Sequence, residues 1–274
     1  MERLTEIVKN AQIVLLDASH SPEPRGGGLL DYLYSMRNLG SINLPVLKTH
    51  QQKLGERRKL VEICDSNGNP ICFTTERAYK ESATLARRIN QRMNYLIRES
   101  PKKLSAYEKL VEDELLFLHG TAEVIRETLR ERDIKKHPEL SFDCAKYSLL
   151  LQAVDLIERE VLPCNRKFGK KASPTDKEII ATALYLSLHS KFSPVVITGD
   201  GDLYTLLKES SRIFTSKEMV NYPEIAESLN YNPVRLYKFF MNGSIGEIDT
   251  SKPFSQSPIR IKREITLSLQ GLLS

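Results

Sequence analysis

The chain has 274 residues, of which 41% are hydrophobic and 27% charged, enough apolar material for one large domain with a packed core. Its formal net charge of +5 permits a phosphate-bearing partner without requiring one. The cysteines Cys64, Cys72, Cys144 and Cys164 form no C-x-x-C pair, so a zinc or disulfide framework is excluded and we expect small core residues in a reducing compartment. Because the chain start lacks the apolar core of a signal peptide and no apolar run reaches membrane-spanning length, we expect a soluble, cytoplasmic protein.

The amino-terminal part contains a short apolar segment that ends in an acid. Residues 13–16 are apolar and predict a strand, and Asp17 follows directly. Residues 20–28 are rich in Pro and Gly and predict a loop. These glycines form no G-x-G-x-x-G fingerprint and no Walker lysine accompanies them, which excludes the usual dinucleotide and P-loop sites.

The next segments alternate between helical and strand patterns. Helical spacing covers residues 29–38 and 46–64, and a turn at Asn67-Gly68 leads to a strand at 71–75. An alternative pairs residues 60–64 with 71–74 as a hairpin around Asn67-Gly68. A helix then begins near Glu76, and Glu81 lies about one and a half turns into it.

Basic residues follow this helix start and recur before residue 172. They form either a solvated face or a surface that contacts phosphate groups. Residues 165–171 form a basic loop in which Phe168 interleaves with the cations, as on surfaces where bases stack on rings. The candidate nucleic-acid contacts are Arg88, Arg92, Arg166, Lys167, Lys170 and Lys171.

Residues 104–132 and 142–161 predict two long helices, and the stretch after them organises the rest of the chain. A helix opens at Ser173 or Thr175 and carries Asp176 in its first turn. A buried β-branched strand follows at 195–197 and ends in Thr198-Gly199-Asp200-Gly201-Asp202.

Asp176 and Asp202 can each be explained by helix structure alone. Thr175 with Glu178 forms a candidate capping box at a helix start, where an acid such as Asp176 is favoured, and Asp202 is a candidate cap for the next helix. However, Asp17 and Asp200 both follow apolar strands, and parallel strands would place them side by side at one sheet edge, where α/β folds bind ligands.

The carboxy-terminal part predicts mixed structure. Residues 203–210 continue as a helix and Arg212–Thr215 as an edge strand. Residues 222–240 predict two short helices with Arg235 and Lys238 on the second, either a helix-turn-helix or, as we prefer, a pair packed on the domain.

Four acids, Asp17, Glu81, Asp176 and Asp200, have a setting that resembles the PIN domain family of ribonucleases, toxins and RNA-processing enzymes. The specific features are the Thr175-Asp176 helix start and the final T-G-D-G-D, and the match covers residues 11–216. The resemblance implies a three-layer α/β/α fold with a central parallel sheet in residues 1–216. Two segments depart from the family pattern: residues 100–165 are longer than in compact members and are expected to form a helical insertion, and residues 217–274, which match nothing in the family, are expected to form a small C-terminal helical extension with a basic tail. It implies metal ligation by Asp17, Glu81, Asp176 and Asp200, an auxiliary acid at Asp202 and a supporting hydroxyl at Thr198, with Glu76 competing with Glu81.

The expected activity is divalent-metal-dependent hydrolysis of phosphodiester bonds. One or two Mg²⁺ or Mn²⁺ ions supply an activated water and neutralise charge, and they take carboxylate oxygens as ligands. RNA is the expected substrate because of the resemblance, and a protein inhibitor or a second copy of the chain are further candidate partners. The alternatives are an inactive PIN-like scaffold that binds nucleic acid or protein, and a DNA-binding regulator that uses residues 222–240.

Overall fold

A five-stranded, mostly parallel sheet forms the centre of the protein. The computed structural model describes residues 6–8, 11–17, 29–137, 139–161, 172–214, 234–239 and 245–248. The strands are β1 (Ile13–Leu16), β2 (Cys72–Phe73), β3 (Pro194–Thr198), β4 (Arg235–Phe239) and β5 (Ile245–Ile248). The helices are α1 (Leu29–Ser35), α2 (Leu44–Val61), α3 (Glu76–Arg98), α4 (Ala106–Arg130), α5 (Cys144–Val161), α6 (Pro174–His189) and α7 (Gly201–Phe214), with 3₁₀ turns η1 (Leu39–Ser41) and η2 (Ile134–Lys136).

The order of the strands creates a switch point beside β1. The spatial order is β2-β1-β3-β4-β5, and only β5 runs antiparallel to its neighbour. The chain passes from β1 to β2 on one side and later returns to β3 on the other side of β1. In open α/β sheets, ligands bind beyond the carboxyl ends of the strands where the direction of winding reverses. The gap between β1 and β3 is therefore the place where the fold favours a site.

Helices cover both faces of the sheet. Ile13 and Leu15 pack in one buried cluster with residues of α5, α6 and α7. Val14 and Leu16 face the opposite way and pack against the ends of α2 and α4. Since successive strand residues point to opposite faces, four apolar residues in a row require cover on both sides. The predicted α/β class, with a mainly parallel central sheet between helices, is confirmed.

A third buried cluster joins α1, α2, α3 and α4 beside the sheet. Its fully enclosed members include Leu33, Leu47, Met93 and Leu115. The two long helices predicted at 104–132 and 142–161 are present as α4 and α5. Both contribute to the core, because α4 packs on α2 and α3 while α5 packs on α6.

The centrally placed helix α6 begins with three local signals. Ser173 caps it, Pro174 occupies its first turn, and Asp176 completes a capping box with Ser173. Beyond the first turn, every residue from Glu178 to Leu188 is buried. A helix that is apolar on almost all sides belongs inside the protein. Its start is thereby held rigidly near the carboxyl ends of the strands.

Two predicted elements of the carboxy-terminal part are wrong. Arg212–Thr215 was expected to form an edge strand, but residues 212–214 continue α7, whose apolar residues keep helical spacing. The second helix expected within 222–240 is strand β4, where Arg235 and Lys238 pair in register with Val195 and Thr198. Leu236 and Tyr237 are both buried, one on each face of the sheet, so the segment fits a central strand.

This strand has two consequences for the predictions. A recognition helix at 235–239 is excluded, while residues 222–233 lie outside the described part of the chain. Strands β4 and β5 also extend the central sheet, although the segment 217–274 was expected to form a helical extension.

Smaller features agree only partly with expectation. Helix, turn and strand follow one another at residues 44–73 as preferred, and an isolated antiparallel bridge between Cys64 and Pro70 is what remains of the alternative hairpin. Gly68 allows the turn with a φ of 82°. Cys72 is buried as expected, whereas Cys64 and Cys144 are exposed.

Within the described residues, no helix is both long and apolar enough to cross a membrane.

Candidate functional site

One buried hydroxyl connects the ends of β1 and β3. Leu16 pairs with Ile197, so the next residues, Asp17 and Thr198, lie side by side at the carboxyl edge. Thr198 Oγ1 donates to Asp17 Oδ2 at 3.1 Å and accepts from the backbone nitrogen of Asp200 at 2.9 Å. Asp17 is 3% exposed and Thr198 is completely buried. Thr198 is therefore hydrogen-bonded to the carboxylate of Asp17 and to the backbone of Asp200, which places both residues at the same edge of the sheet.

Asp200 also caps the helix that follows it. Its Oδ1 accepts from the backbone nitrogen of Asp202 at 2.6 Å, at the start of α7. The alternative that gave this capping role to Asp202 is wrong, since Asp202 lies within the first turn and Asp200 precedes it. A carboxylate at a helix start is stabilised by the positive end of the helix dipole.

Asp176 occupies a similar position at the start of α6. Its Oδ2 accepts from the backbone nitrogen of Ser173 at 2.7 Å, and Ser173 Oγ accepts from the nitrogen of Asp176 at 3.1 Å. The capping box therefore joins Ser173 and Asp176, not Thr175 and Glu178 as the alternative interpretation had it. Two helix starts, those of α6 and α7, each hold one of the candidate acids.

The negative charges of Asp17 and Asp200 act on Asp176. Asp176 is 7% exposed, and its burial, together with the negative charges of Asp17 and Asp200, raises its pKa to about 6, against the lowering effect of the hydrogen bonds from Ser173. Asp17 and Asp200 therefore lie close enough to Asp176 for their charges to act on it, although the three acids are far apart in sequence. Acids that approach one another in this way repel, which is typical of a site that accepts a cation.

The predicted fourth acid is placed differently. Glu81 lies on α3 with an exposed side chain, and the charges that act on Asp176 are those of the other aspartates. The start of α3 nevertheless lies near Asp17. Leu15 pairs with Phe73 in the sheet, so Asp17 and Thr75, each two residues further along, lie at corresponding positions. The competing residue Glu76 is exposed and forms an ion pair of 2.6 Å with Lys80, which lowers its pKa. Glu76 therefore belongs to a surface ion pair.

Three consecutive charged residues at the start of α6 point to three different neighbours. Asp176 is affected by the charges of Asp17 and Asp200, while Lys177 lies 2.6 Å from Asp155 and from Glu158 on α5. Glu158 in turn accepts from the backbone nitrogen of Ala172 at 2.5 Å. This network fixes the residues that lead into α6. Nothing in the sequence pattern links Lys177 to α5, so its positioning role emerges only from the structure.

Glu178 takes the third direction and joins α6 to α3. Its Oε1 lies 3.2 Å from Lys135 Nζ, and its Oε2 accepts from the backbone nitrogen of Arg77 at 3.2 Å. Glu178 is 7% exposed, so its charge is balanced inside the fold by Lys135 and by the start of α3. We assign it to the support of the site.

The candidate nucleic-acid contacts divide into three groups. Arg88 is exposed on α3 as expected for a phosphate contact. Arg92 instead donates to the carbonyl oxygens of Leu33 and Met36 at the end of α1, so its guanidinium is used within the fold. The remaining candidates lie outside the described residues: Arg166, Lys167, Lys170 and Lys171.

The donor set fits a hard divalent ion in its chemistry. Asp17, Asp176 and Asp200 offer oxygen atoms only, which Mg²⁺ and Mn²⁺ prefer. Within the described residues, no group of three or more His, Cys, Asp or Glu side chains is arranged so that it could hold a metal ion. Mg²⁺ usually takes one or two carboxylates, with water and substrate phosphates completing its shell. The site would thus hold an ion through the aspartates and leave the other positions for water and substrate.

A cavity of about 450 Å³ lies at the opposite edge of the sheet. Gln12, Ile71 and Phe192 line it, and each precedes a strand. Asp17, Asp176 and Asp200 are not among the residues that line it.

No protein-family model, no curated protein and no solved structure matches this chain.

Proposed function

We propose that the protein is a divalent-metal-dependent nuclease that hydrolyses phosphodiester bonds in RNA, with a PIN-like arrangement of acids. The observation that carries the proposal is the convergence of Asp17, Asp176 and Asp200 at the switch point between β1 and β3, where burial, together with the charges of Asp17 and Asp200, raises the pKa of Asp176 to about 6. Converging carboxylates are costly for a fold, since two unit charges 4 Å apart repel by about 4 kcal/mol at an effective dielectric of 20. A cation site accounts for this cost.

The roles of the residues follow from their positions. Asp17, Asp176 and Asp200 would hold one or two Mg²⁺ or Mn²⁺ ions, which supply an activated water and neutralise charge on the phosphate. Thr198 keeps Asp17 oriented through its 3.1 Å hydrogen bond. Asp202, in the first turn of α7 beside the capping residue Asp200, would serve as an auxiliary acid. Glu81, in the first third of α3, would orient the attacking water or hold a second ion.

The mainly parallel α/β sheet supports this proposal at the level of fold, and its PIN-like identity is part of the proposal. The RNA preference rests on the family resemblance described above. Arg88 is exposed on α3 and would contact the phosphates of an RNA strand that lies along this helix. The basic loop at 165–171 is proposed to contribute further phosphate contacts.

A second candidate is a scaffold that binds nucleic acid without cutting it. The observation that favours it is the use of Asp176 and Asp200 as helix caps. Such a protein would bind an oligonucleotide equally well with and without a divalent ion.

A cleavage assay decides between the two. Labelled single-stranded RNA, single-stranded DNA and structured RNA are incubated with the protein in Mn²⁺, Mg²⁺ or EDTA. We expect the protein to cleave RNA in Mn²⁺ or Mg²⁺ but not in EDTA, and we expect Asp17→Asn, Asp176→Asn and Asp200→Asn to lose this cleavage. The exposed α4 substitution Asp113→Asn is the matched control and should cut normally. Cutting at the wild-type rate by the folded site variants would reject the assigned site, and binding without any cutting would favour the scaffold.

A further inference from the structure

Two exposed tyrosines flank one arginine at the far end of α3. Tyr34 lies in the last turn of α1 and is 59% exposed, and Tyr95 on α3 is 48% exposed. The guanidinium carbon of Arg92 lies 5.4 Å from the centroid of the Tyr34 ring and 4.7 Å from that of Tyr95. The cation between the rings holds both by cation–π attraction.

Arg92 is itself anchored in the fold. Its Nε donates to the carbonyl oxygen of Leu33 at 3.0 Å, and its Nη2 donates to that of Met36. These carbonyls lie at the carboxyl end of α1, where a cation also meets the negative end of the helix dipole. The two rings are therefore held on a rigid support, and a group that stacks on them loses little conformational freedom by ordering them.

A line of exposed residues on α3 connects this pair to the acids. Thr75 caps α3 next to Asp17 in the sheet register. From there, exposed side chains recur every three or four residues, which places them on one side of the helix. They are Arg77, Glu81, Thr84, Arg88, Gln91, Tyr95 and Arg98. The distance from Arg77 to Tyr95 along the axis is about 27 Å at 1.5 Å per residue.

The chemistry of this line favours a nucleic acid over an apolar partner. Arg88 and Arg98 are exposed on α3, and Arg37 is exposed close to Tyr34 in sequence. Surfaces that bind single strands combine cations, which follow the phosphates, with aromatic rings on which the bases stack. Glu81, a predicted acid of the active site, lies at the end of the line nearest the aspartates.

We propose that Tyr34 and Tyr95 form a stacking platform for single-stranded RNA, with Arg88 and Arg98 along its phosphates. The direction of the strand towards Asp17, Asp176 and Asp200 rests on the proposed nuclease function, whereas the platform itself does not. At about 3.4 Å per stacked nucleotide, a strand needs about eight nucleotides to reach from the tyrosines to the acids. Cleavage of a tetranucleotide should then be insensitive to the tyrosines, and that of a dodecanucleotide sensitive.

The test measures binding apart from cleavage. A fluorescently labelled oligouridylate of twelve nucleotides is titrated with full-length protein in EDTA, and its anisotropy gives the Kd. Tyr34→Ala and Tyr95→Ala should each weaken binding about tenfold, since a stacked base contributes about 1–3 kcal/mol and 1.4 kcal/mol is tenfold. Tyr95→Phe keeps the ring and should bind like the wild type. Phe117→Ala, which removes a 57% exposed ring from α4, is the matched control and should have no effect.

A second measurement needs no substitution. An abasic oligonucleotide of the same length keeps the phosphates and lacks the bases, so the wild type should bind it as weakly as the Tyr34→Ala/Tyr95→Ala variant binds oligouridylate. Equal affinity of the wild type for both oligonucleotides would overturn the platform, even if a tyrosine variant does not fold. Preference for an acidic peptide over oligouridylate would do the same and point to a protein partner.

The two proposals fail in different ways. Tyrosine-dependent binding without cleavage in Mn²⁺ leaves the platform and rejects the nuclease. Cleavage in Mn²⁺ of the dodecanucleotide by the double variant at the wild-type rate, with unchanged Kd, leaves the nuclease and rejects the platform.

Discussion

Thr198 holds Asp17 and Asp200 through a single oxygen atom. Its Oγ1 donates to Asp17 Oδ2 at 3.1 Å and accepts from the backbone nitrogen of Asp200 at 2.9 Å. The donor and acceptor capacity of one hydroxyl therefore joins the end of β1 to the turn after β3. Removing this oxygen takes one hydrogen bond from the carboxylate of Asp17 and one from the backbone of Asp200.

Thr198→Val should destabilise the protein and reduce cleavage. Valine has nearly the shape of threonine but leaves the nitrogen of Asp200 and one oxygen of Asp17 without this partner, at a cost of about 1–3 kcal/mol for a buried group. Urea unfolding measures the loss, and cleavage at a temperature where both proteins are folded measures the effect on the site. Thr198→Ser keeps the hydroxyl and should retain most of the stability and activity. Equal behaviour of the valine and serine variants would show that the hydroxyl has no such role.

The stability of the metal-free protein should depend on Asp176 and on pH. Its pKa is raised from 3.8 to about 6 by burial and by the charges of Asp17 and Asp200. A carboxyl with a higher pKa in the folded state stabilises the fold below about pH 4 and loses that contribution as the pH rises through about 6. The rise corresponds to at most about 3 kcal/mol at about 1.36 kcal/mol per pKa unit.

Asp176→Asn should therefore raise the free energy of unfolding at pH 8 in EDTA and leave it nearly unchanged at pH 4. Asparagine retains an oxygen that can accept from Ser173, so the cap is kept while the charge is removed. Urea unfolding at the two pH values gives the difference. Asp113→Asn on the exposed side of α4 is the control and should show no pH-dependent change. A destabilised Asp176→Asn protein at pH 8 would contradict the electrostatic strain.

A divalent ion should stabilise the wild type by relieving the same repulsion. A ligand that binds only the folded state adds about 2.7 kcal/mol at one hundred times its Kd. At about 2–4 °C per kcal/mol for a chain of this size class, Tm should rise by several degrees in excess Mn²⁺. In Asp200→Asn the metal-free Tm should be higher and the Mn²⁺-dependent rise smaller. Thermal melts in EDTA and in Mn²⁺ test this, and a wild type that does not respond to millimolar Mn²⁺ or Mg²⁺ would speak against a cation site.

Lys177 should contribute strongly to stability without contacting the candidate ligands. Its Nζ lies 2.6 Å from the carboxylate of Glu158, which is 5% exposed. Lys177→Met leaves this buried charge without its partner and should cost about 3 kcal/mol, the lower end of the range for a broken buried pair. Adding Glu158→Gln should recover part of the loss, and urea unfolding of the single and double variants gives the coupling.

An exposed ion pair provides the contrast for that measurement. Lys80 and Glu76 lie 2.6 Å apart with side chains 67% and 59% exposed. Because water screens such a pair, Lys80→Met should leave stability almost unchanged. Similar losses in both lysine variants would mean that Lys177 acts through its aliphatic part alone.

The start of α6 illustrates how far sequence reasoning reached. A cap at Ser173 with Pro174 behind it was predictable, since both residues favour a helix start for local reasons. The sequence shows Asp176, Lys177 and Glu178 only as three consecutive charged residues. In the structure, Asp176 lies near the other candidate acids, Lys177 pairs with α5, and Glu178 contacts the start of α3. Residues that follow one another in a helix differ by about 100° in direction, so their partners depend on what packs on each side.

The errors have the same origin. Residues 235–239 combine apolar, aromatic and basic side chains that suit a helix or a strand. They form β4 because β3 offers an open edge at Val195 and Thr198. Arg92 looked like a surface cation for phosphate, but the carbonyls of α1 come within its reach only after α1 has packed on α3.

By itself, the sequence determined the local features of this protein: the apolar strands, the helix starts and the acids that follow the strands at Asp17 and Asp200. Each of these depends on neighbouring residues, through backbone propensity, capping and the period of apolar side chains. Only the tertiary structure decided that β1 and β3 are neighbours with a switch point between them, that Thr198 connects their acids, and that Tyr34 meets Tyr95 across Arg92. These relationships join segments far apart in the chain, so they depend on how the helices pack on both faces of the sheet and against one another.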